Sequence, residues 1–375
     1  MGVDEATLTV MDLVFGWRTA VLTVAAAILL PLAVGLSASF HNRLAARALA
    51  ALLIVMTGVF VPWLIGFAGF YDRWWWLTFA PFSNALLVPP LLYLHAYALV
   101  TGRWSPAAWR HLLPGAIQFA YQAAAFLLPT PLKHYWADLA FTTGNAIVAS
   151  LLAISFVVYG AWTIRLLHGY RDALSQKRSD DARFATAWLS RTAVAYPLLA
   201  IVWAGWLLVD AVKPLGYRGL MPLYAAIAGF ALYLGIAGWR YLALPFPALD
   251  TLEHPEVRSP AVRNWQAQGE EWATRIRDNG WYRDDALTLR RLASLLATNE
   301  TYVSRALNEG LGVGFSDFVN GLRCEDVAAA LAADDSRPVL VIALDAGFAS
   351  KASFNRAFQR RYGRSPSAYR ASHKR

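Results

Sequence analysis

Apolar residues run almost unbroken through seven stretches of the first 240 positions, near 19–40, 46–69, 76–100, 109–129, 141–164, 190–212 and 219–240. Each approaches the roughly 20 residues that an α-helix needs to cross the hydrocarbon core of a bilayer. Most are free of charge through their centres, as the cost of burying an ion in lipid demands. Beyond residue 264 the pattern changes. Apolar positions there recur every three or four residues among charged ones, which is the period of amphipathic helices in water. The pattern predicts an all-α chain: a seven-helix transmembrane bundle over 1–240, a linker over 241–264 and a soluble helical domain over 265–375.

Prolines inside the apolar runs (Pro31, Pro62, Pro89, Pro90, Pro114, Pro197 and Pro222) predict kinks that neighbouring helices can re-satisfy. The first run is not read as a cleaved leader, because Asp4, Glu5 and Asp12 precede it where a leader has a basic start. The linker, YLALPFPALDTLEHPEVRSPAVRN, holds four prolines and predicts a partly extended spacer.

Composition sharpens the division. With 57% hydrophobic and only 16% charged residues the whole chain is too apolar for an ordinary soluble protein, yet just nine of its 25 acidic residues precede position 241. Loop charge then sets an orientation. Arg43, Arg47, Arg103, Arg110, Arg165, Arg171, Lys177, Arg178, Arg183 and Arg191 fall in one set of alternate loops, against a sparse, acid-mixed set on the other side. The positive-inside rule places the amino terminus outside, and seven crossings deliver residue 241 to the cytoplasm. Trp74, Trp75 and Trp76 at one surface, with Trp104, Trp109, Trp188 and Trp239 at the other, fit the two interfacial belts.

The polar side chains placed within spans are Asn84, His95, Gln118, Gln122 and Asn145. They are either a ligand pocket or interhelical hydrogen bonds that hold a bundle together. His95 has no second ligand at metal spacing, and the single cysteine, Cys324, makes neither a disulfide nor a metal cluster. None of the five lysines falls mid-span, which excludes a retinal-type Schiff base. No nucleophile–base pair, phosphate loop or metal motif is visible, so neither an enzyme nor a cofactor is expected.

The soluble part carries two similar patterns. A short helix 289–296 has Leu289, Leu292, Leu295 and Leu296 on one face; the polar turn Ala297-Thr298-Asn299 follows, then a helix from Glu300 with Val303, Ala306 and Leu307 inward. A longer helix over about 315–332 has Phe318, Leu322, Val327 and Leu331 as its buried stripe. The first pattern then recurs: Val339–Leu344, the turn Asp345-Ala346-Gly347-Phe348, and a helix capped by Ser350 in which Ala352, Phe354 (or its neighbour Ala357) and Phe358 pack. Two short helices about a tight polar turn form a helix–turn–helix.

The phrases LTLRRLASLLATNETYVSRALNEGLGVGFSDFVNGLRCEDVAAAL and VIALDAGFASKASFNRAFQRRYGRSPSAYR make residues 281–370 resemble the DNA-binding domain of the AraC/XylS family of bacterial transcription regulators. Joined to seven membrane helices, the whole resembles the membrane-anchored branch of that family. The resemblance implies an AraC-type double helix–turn–helix with two units joined by a long helix, whose recognition helices enter successive major-groove faces of double-stranded DNA. It places Thr301, Tyr302, Ser304 and Arg305 of the first recognition helix, 300–309, where they reach bases. It does the same for Lys351, Ala352, Asn355 and Arg356 of the second, 350–360. Arg-to-guanine and Asn-to-adenine contacts are the ones expected, with Arg360, Arg361 and Arg364 either at phosphates or simply solvating the surface.

Two features depart from a strong DNA binder. Glu300 puts a carboxylate at the start of the first recognition helix, and residues 241–375 carry a net charge of only +2. The partners implied are promoter DNA, the lipid bilayer, a signal ligand and a second copy of the chain. The location implied is a bacterial inner membrane. Two rivals stay open: a membrane enzyme or transporter regulated by its cytoplasmic domain, and a ligand-free anchor for a constitutive regulator.

Overall fold

The computed structural model describes residues 13–39, 41–140, 144–184, 186–212, 219–242, 244–249, 264–333 and 335–373. Most of the expected linker, 250–263, lies outside the described residues. The chain is helical, with no strand among the described residues and one isolated antiparallel bridge between Arg178 and Thr288. It forms two compact units. The first comprises Met1–Leu167 and Ala187–Phe246, the second His168–Thr186 and Pro247–Arg375.

The first unit holds α1 (Trp17–Ser37), α2 (Arg43–Phe67), α3 (Val88–Thr101), α4 (Ala108–Phe126), α5 (Thr130–Leu139), α6 (Asn145–Lys177), α7 (Ala187–Val212) and α8 (Met221–Leu242). Four of the described helices are long and apolar enough to cross a membrane, namely α1, α2, residues 147–177 of α6 and 221–241 of α8. The expected count of seven is not reached on that measure.

The third stretch, 76–100, is no single span. It breaks into two short 3-10 turns, Trp75–Leu77 and Ala85–Leu87, before the 14 residues of α3. At 1.5 Å per residue α3 measures about 21 Å, short of the roughly 30 Å of a hydrocarbon core. Pro89 and Pro90, expected to kink a helix, instead occupy its first turn, where a missing N–H leaves no acceptor unfilled.

Helix α2 lies against α1, α3 and α8 and supplies much of the buried surface, including Leu49, Leu52, Leu53 and Phe60. Gly58 lets the Phe82 carbonyl oxygen approach to within 2.2 Å of where a Cβ would stand, so no larger residue fits there.

Outward faces of this unit are apolar: Val21, Val24, Ile28 and Val34 on α1, Ile147, Leu151, Ile154 and Val157 on α6, and Leu198, Ile201 and Val202 on α7 are all exposed. In the second unit only Leu340, Val341 and Leu344, among the described residues, are large, apolar and exposed. Exposed apolar faces of this extent mark surfaces that interact with lipid or with other protein.

The second unit contains the last turns of α6 and α9 (Trp265–Asp278), α10 (Leu289–Leu295), α11 (Glu300–Arg305), α12 (Phe315–Ala332), α13 (Val339–Asp345), α14 (Lys351–Tyr362) and α15 (Pro366–His373). It has two cores, and α12 contributes to both. Phe315, Val319 and Leu322 join Trp272, Ile276, Leu292 and Val303; Cys324, Val327 and Leu331 join Ile342, Phe348, Phe354 and Phe358. Phe318, expected in the buried stripe, is only partly buried against the first core.

The two helix–turn–helix units share their turn. Thr298 N–H donates to Ala293 O at 2.9 Å, and fifty positions later Phe348 N–H donates to Ala343 O at 3.1 Å. The left-handed position of that turn is Ala297 (φ 55°) in one unit and Gly347 (φ 95°) in the other. A left-handed alanine is strained. Ala297→Gly is therefore expected to stabilise the first helix–turn–helix by up to about 1 kcal/mol, after the greater unfolded-state freedom of glycine is offset. Slower hydrogen exchange of the α10 amides is the readout, and unchanged exchange would count against strain at this turn.

Candidate nucleic-acid interface

Side-chain caps set the start of each short helix. The Thr288 hydroxyl accepts from Arg291 N–H (3.3 Å), the Asn299 side chain from Tyr302 N–H (2.9 Å) and the Ser350 hydroxyl from Ser353 N–H (3.2 Å). Each fills one of the donors that a helix start leaves open.

On α14 the burial of Phe354 and Phe358 turns Lys351, Ala352, Asn355, Arg356 and Gln359 outward, and all five are exposed. Ala352, which the apolar pattern places inside and the resemblance places at DNA, faces out. This face offers a cation, an amide and a guanidinium within two turns of helix, which suffices for paired hydrogen bonds to base edges. A ladder of rings from Phe354 through Phe358 to Tyr362 and Tyr369, with centroids 4.7–5.5 Å apart, fixes the helix from behind.

Two arginines expected at phosphates also have exposed acidic neighbours, pairs weak enough to give way to a phosphate. Arg360 makes paired contacts with Asp317 (2.8 and 3.1 Å), and Arg361 pairs with Glu325, so both tie α14 to α12. Arg364, also expected at phosphate, donates to the Ser372 hydroxyl at 3.3 Å.

The first reading face differs in kind. Helix α11 is short and runs on into a wider π turn, Ala306–Gly310. Thr301 and Ser304 are partly exposed, whereas Tyr302 packs at 5.7 Å from the Trp265 ring. Arg305 lies 4.6 Å from that ring's centre and donates twice to Glu309, holding its carboxyl below the ordinary range. An exposed pair of this kind is weak and gives way to a phosphate or base. Glu300 is not bare: Arg290 Nε lies at 3.0 Å and Lys177 Nζ at 3.5 Å from its carboxylate oxygens. That pairing offsets the repulsion that a lone carboxylate would exert on the phosphate backbone.

One functional group has no forecast in the sequence. Arg323 on α12 is 1% exposed, and its guanidinium donates to Tyr282 O (2.7 Å), Asp284 O (2.6 Å), Asn320 Oδ1 (3.1 Å) and Ser179 Oγ (3.1 Å). Burial pushes its pKa down to about 10, against the pull of Asp180, Asp284 and Asp285. It also lies 5.8 Å from the centre of the Phe348 ring, and so links the second helix–turn–helix to the Tyr282–Asp284 segment that precedes the first. An arginine beside Leu322 and Cys324 reads as a surface residue; the signal available was its place among the apolar positions of α12.

Of the polar side chains expected within spans, Asn84, Gln118 and His95 bond to backbone groups. Asn84 donates to Gly115 O (2.8 Å) and Gln118 accepts from Leu86 N–H (3.0 Å), which joins the 84–87 turn to α4. His95, wholly buried, bonds through Nδ1 to Ala45 O (2.8 Å) on the seam of α3 with α2. Gln122 Oε1, Asn84 Oδ1 and His95 Nε2 are buried without a protein partner. The Asn145 side chain lies outside the described residues. Among the described residues no group of three or more metal-ligating side chains occurs.

Residues 292–372 match a family model described as a helix-turn-helix domain. Proteins described as uncharacterized HTH-type transcriptional regulators, from Staphylococcus aureus strains MSSA476, MW2 and COL, are 37% identical over 84 residues. The match covers 22% of this chain and only 11% of the length of those relatives. No solved structure matches the chain. The carboxyl-terminal part is thus an AraC-type helix-turn-helix domain, whose relatives bear the names of transcription regulators.

Proposed function

We propose that the chain is a membrane-embedded, sequence-specific DNA-binding transcription regulator without enzymatic activity. Its amino terminus lies outside a bacterial inner membrane, and residues 265–375 face the cytoplasm. The observation that carries the DNA-binding part is the matched domain, with the exposed Lys351, Asn355 and Arg356 on one face of α14. Seven crossings remain our reading of the apolar stretches. The exposed apolar faces of α1, α6 and α7 support a lipid environment. The positive loops support an orientation in which the domain meets DNA.

Within this reading Lys351, Asn355 and Arg356 make the base-edge contacts of the second helix–turn–helix, and Thr301 and Ser304 those of the first. Tyr302 and Arg305 join them after leaving Trp265 and Glu309. Two reading faces in one chain suffice for a full site, so a homodimer is compatible but not required. A signal ligand at Asn84, His95, Gln118, Gln122 or Asn145 is the sensor version of the proposal. The bonds made by Asn84, Gln118 and His95 serve a purely structural role as well.

The test is selection of bound duplexes from a random pool by the full chain in lipid nanodiscs. Arg356→Ala is expected to weaken binding to the selected duplex by about 1–3 kcal/mol and to relax preference at one position. No enrichment at low salt, or an unaltered Arg356→Ala binding curve, would overturn the reading.

A further inference from the structure

The second unit includes a segment that the sequence assigns to the membrane half. Residues 168–186 are the end of α6 and the turn leading to α7, yet they pack with the DNA-binding domain. The docking is polar and specific. Ser179 donates twice to Leu287 O, through its backbone N–H (3.2 Å) and its hydroxyl (2.8 Å), next to the Arg178–Thr288 bridge. Ser179 O accepts from Asn320, and Ser179 Oγ accepts from the buried Arg323. Asp181 accepts from the Ser316 hydroxyl at 3.1 Å, and Lys177 reaches Glu300. Ser179 and Asp180 are 2% and 3% exposed, a degree of burial rare for such residues unless they are paired. Asp180 is held by two bonds from Arg178, at 2.7 and 2.8 Å.

These contacts converge where the two helix–turn–helix units meet. Leu287 and Thr288 lead directly into α10, whereas Ser316, Asn320 and Arg323 lie on α12, which serves both cores. We propose that residues 177–181 form an interaction surface through which the end of α6 holds the DNA-binding domain in its reading arrangement. A shift of α6 along or about its axis then moves DNA affinity. The inference rests on the DNA-binding reading above. Docked, the segment completes the shell of Arg323 and covers the charge of Glu300. Undocked, it leaves the junction of α10 and α12 loose and a carboxylate facing the phosphates. Docking therefore favours DNA.

The unbonded partners of an isolated antiparallel bridge stand close enough for a disulfide. In the full chain in nanodiscs, Arg178→Cys/Thr288→Cys is expected to form an intramolecular link on oxidation that neither single variant forms. The linked form should bind the selected duplex on the order of tenfold more tightly than the same chain reduced, a normal size for coupling between sites. Because one polypeptide is compared with itself, misfolding does not mimic the effect. Ser179→Pro, which removes the N–H and the hydroxyl, should weaken binding by a similar factor while the α14 amides keep wild-type exchange protection.

Failure to form the link overturns the docking even where the wild-type chain binds DNA normally. A link that forms while oxidised, reduced and Ser179→Pro chains all bind equally overturns the coupling. A wild-type chain that binds no duplex removes the DNA-binding reading and the coupling together, and link formation then still reports on docking alone.

Discussion

Arg323→Met is expected to cost the second unit about 3–5 kcal/mol, because up to four buried acceptors lose the donor that satisfies them. Methionine fills much of the volume, so the loss reports on hydrogen bonding rather than on a cavity. The measurement is pulse proteolysis of the full chain across a denaturant series, read at the fragment containing α10 to α14. Arg323→Lys retains the charge but not the planar fork, and should recover only part of the loss. Wild-type stability in Arg323→Met would mean that the desolvation of the guanidinium cancels its four bonds, an outcome known for buried ions that apolar side chains replace.

Gly347→Ala should be about as damaging, at roughly 2–5 kcal/mol, for two independent reasons. The residue sits at φ 95°, where a Cβ is strained. That Cβ would also stand 2.5 Å from the Arg283 carbonyl oxygen, within backbone that has no flexible end to move aside. Ala297 in the equivalent turn shows that a left-handed alanine is survivable at φ 55°, whereas position 347 adds a larger φ and the clash. Loss of protection in α13 and α14, with the selected duplex no longer bound, is the expected result. A variant that melts like the parent chain would show that the turn and Arg283 separate at little cost.

The parts of the domain that are local were legible in the sequence. Leu289, Leu292, Val303 and Leu307, then Ile342, Phe354 and Phe358, recur at helical spacing, and Asn299 and Ser350 announce their helices by cap chemistry. The helix near 76–100 was misjudged for a physical reason. Hydrophobicity summed over the stretch is high, but Pro81, Asn84 and the Pro89-Pro90 pair cut it into turns and a short helix. The site held two surprises of another kind. Ser179 and Leu287 are 108 positions apart, and nothing in either neighbourhood names the other. Asp317 and Glu325, opposite Arg360 and Arg361, are likewise distant in sequence, and a basic run at a helix end can serve such a pair as well as a phosphate.

Helix α12 gives its first half to one core and its second half to the other, running as one helix from Phe315 to Ala332 through Gly321 at the boundary. The two reading faces therefore share one helix and are expected to melt together. Calorimetry of the domain should show a single transition, and amides of α10 and α13 should open by global unfolding rather than in separate steps. A molecule built this way has no half-folded state in which one recognition helix keeps its shape while the other is lost. Its occupancy of DNA must then be graded by position and charge rather than by partial unfolding.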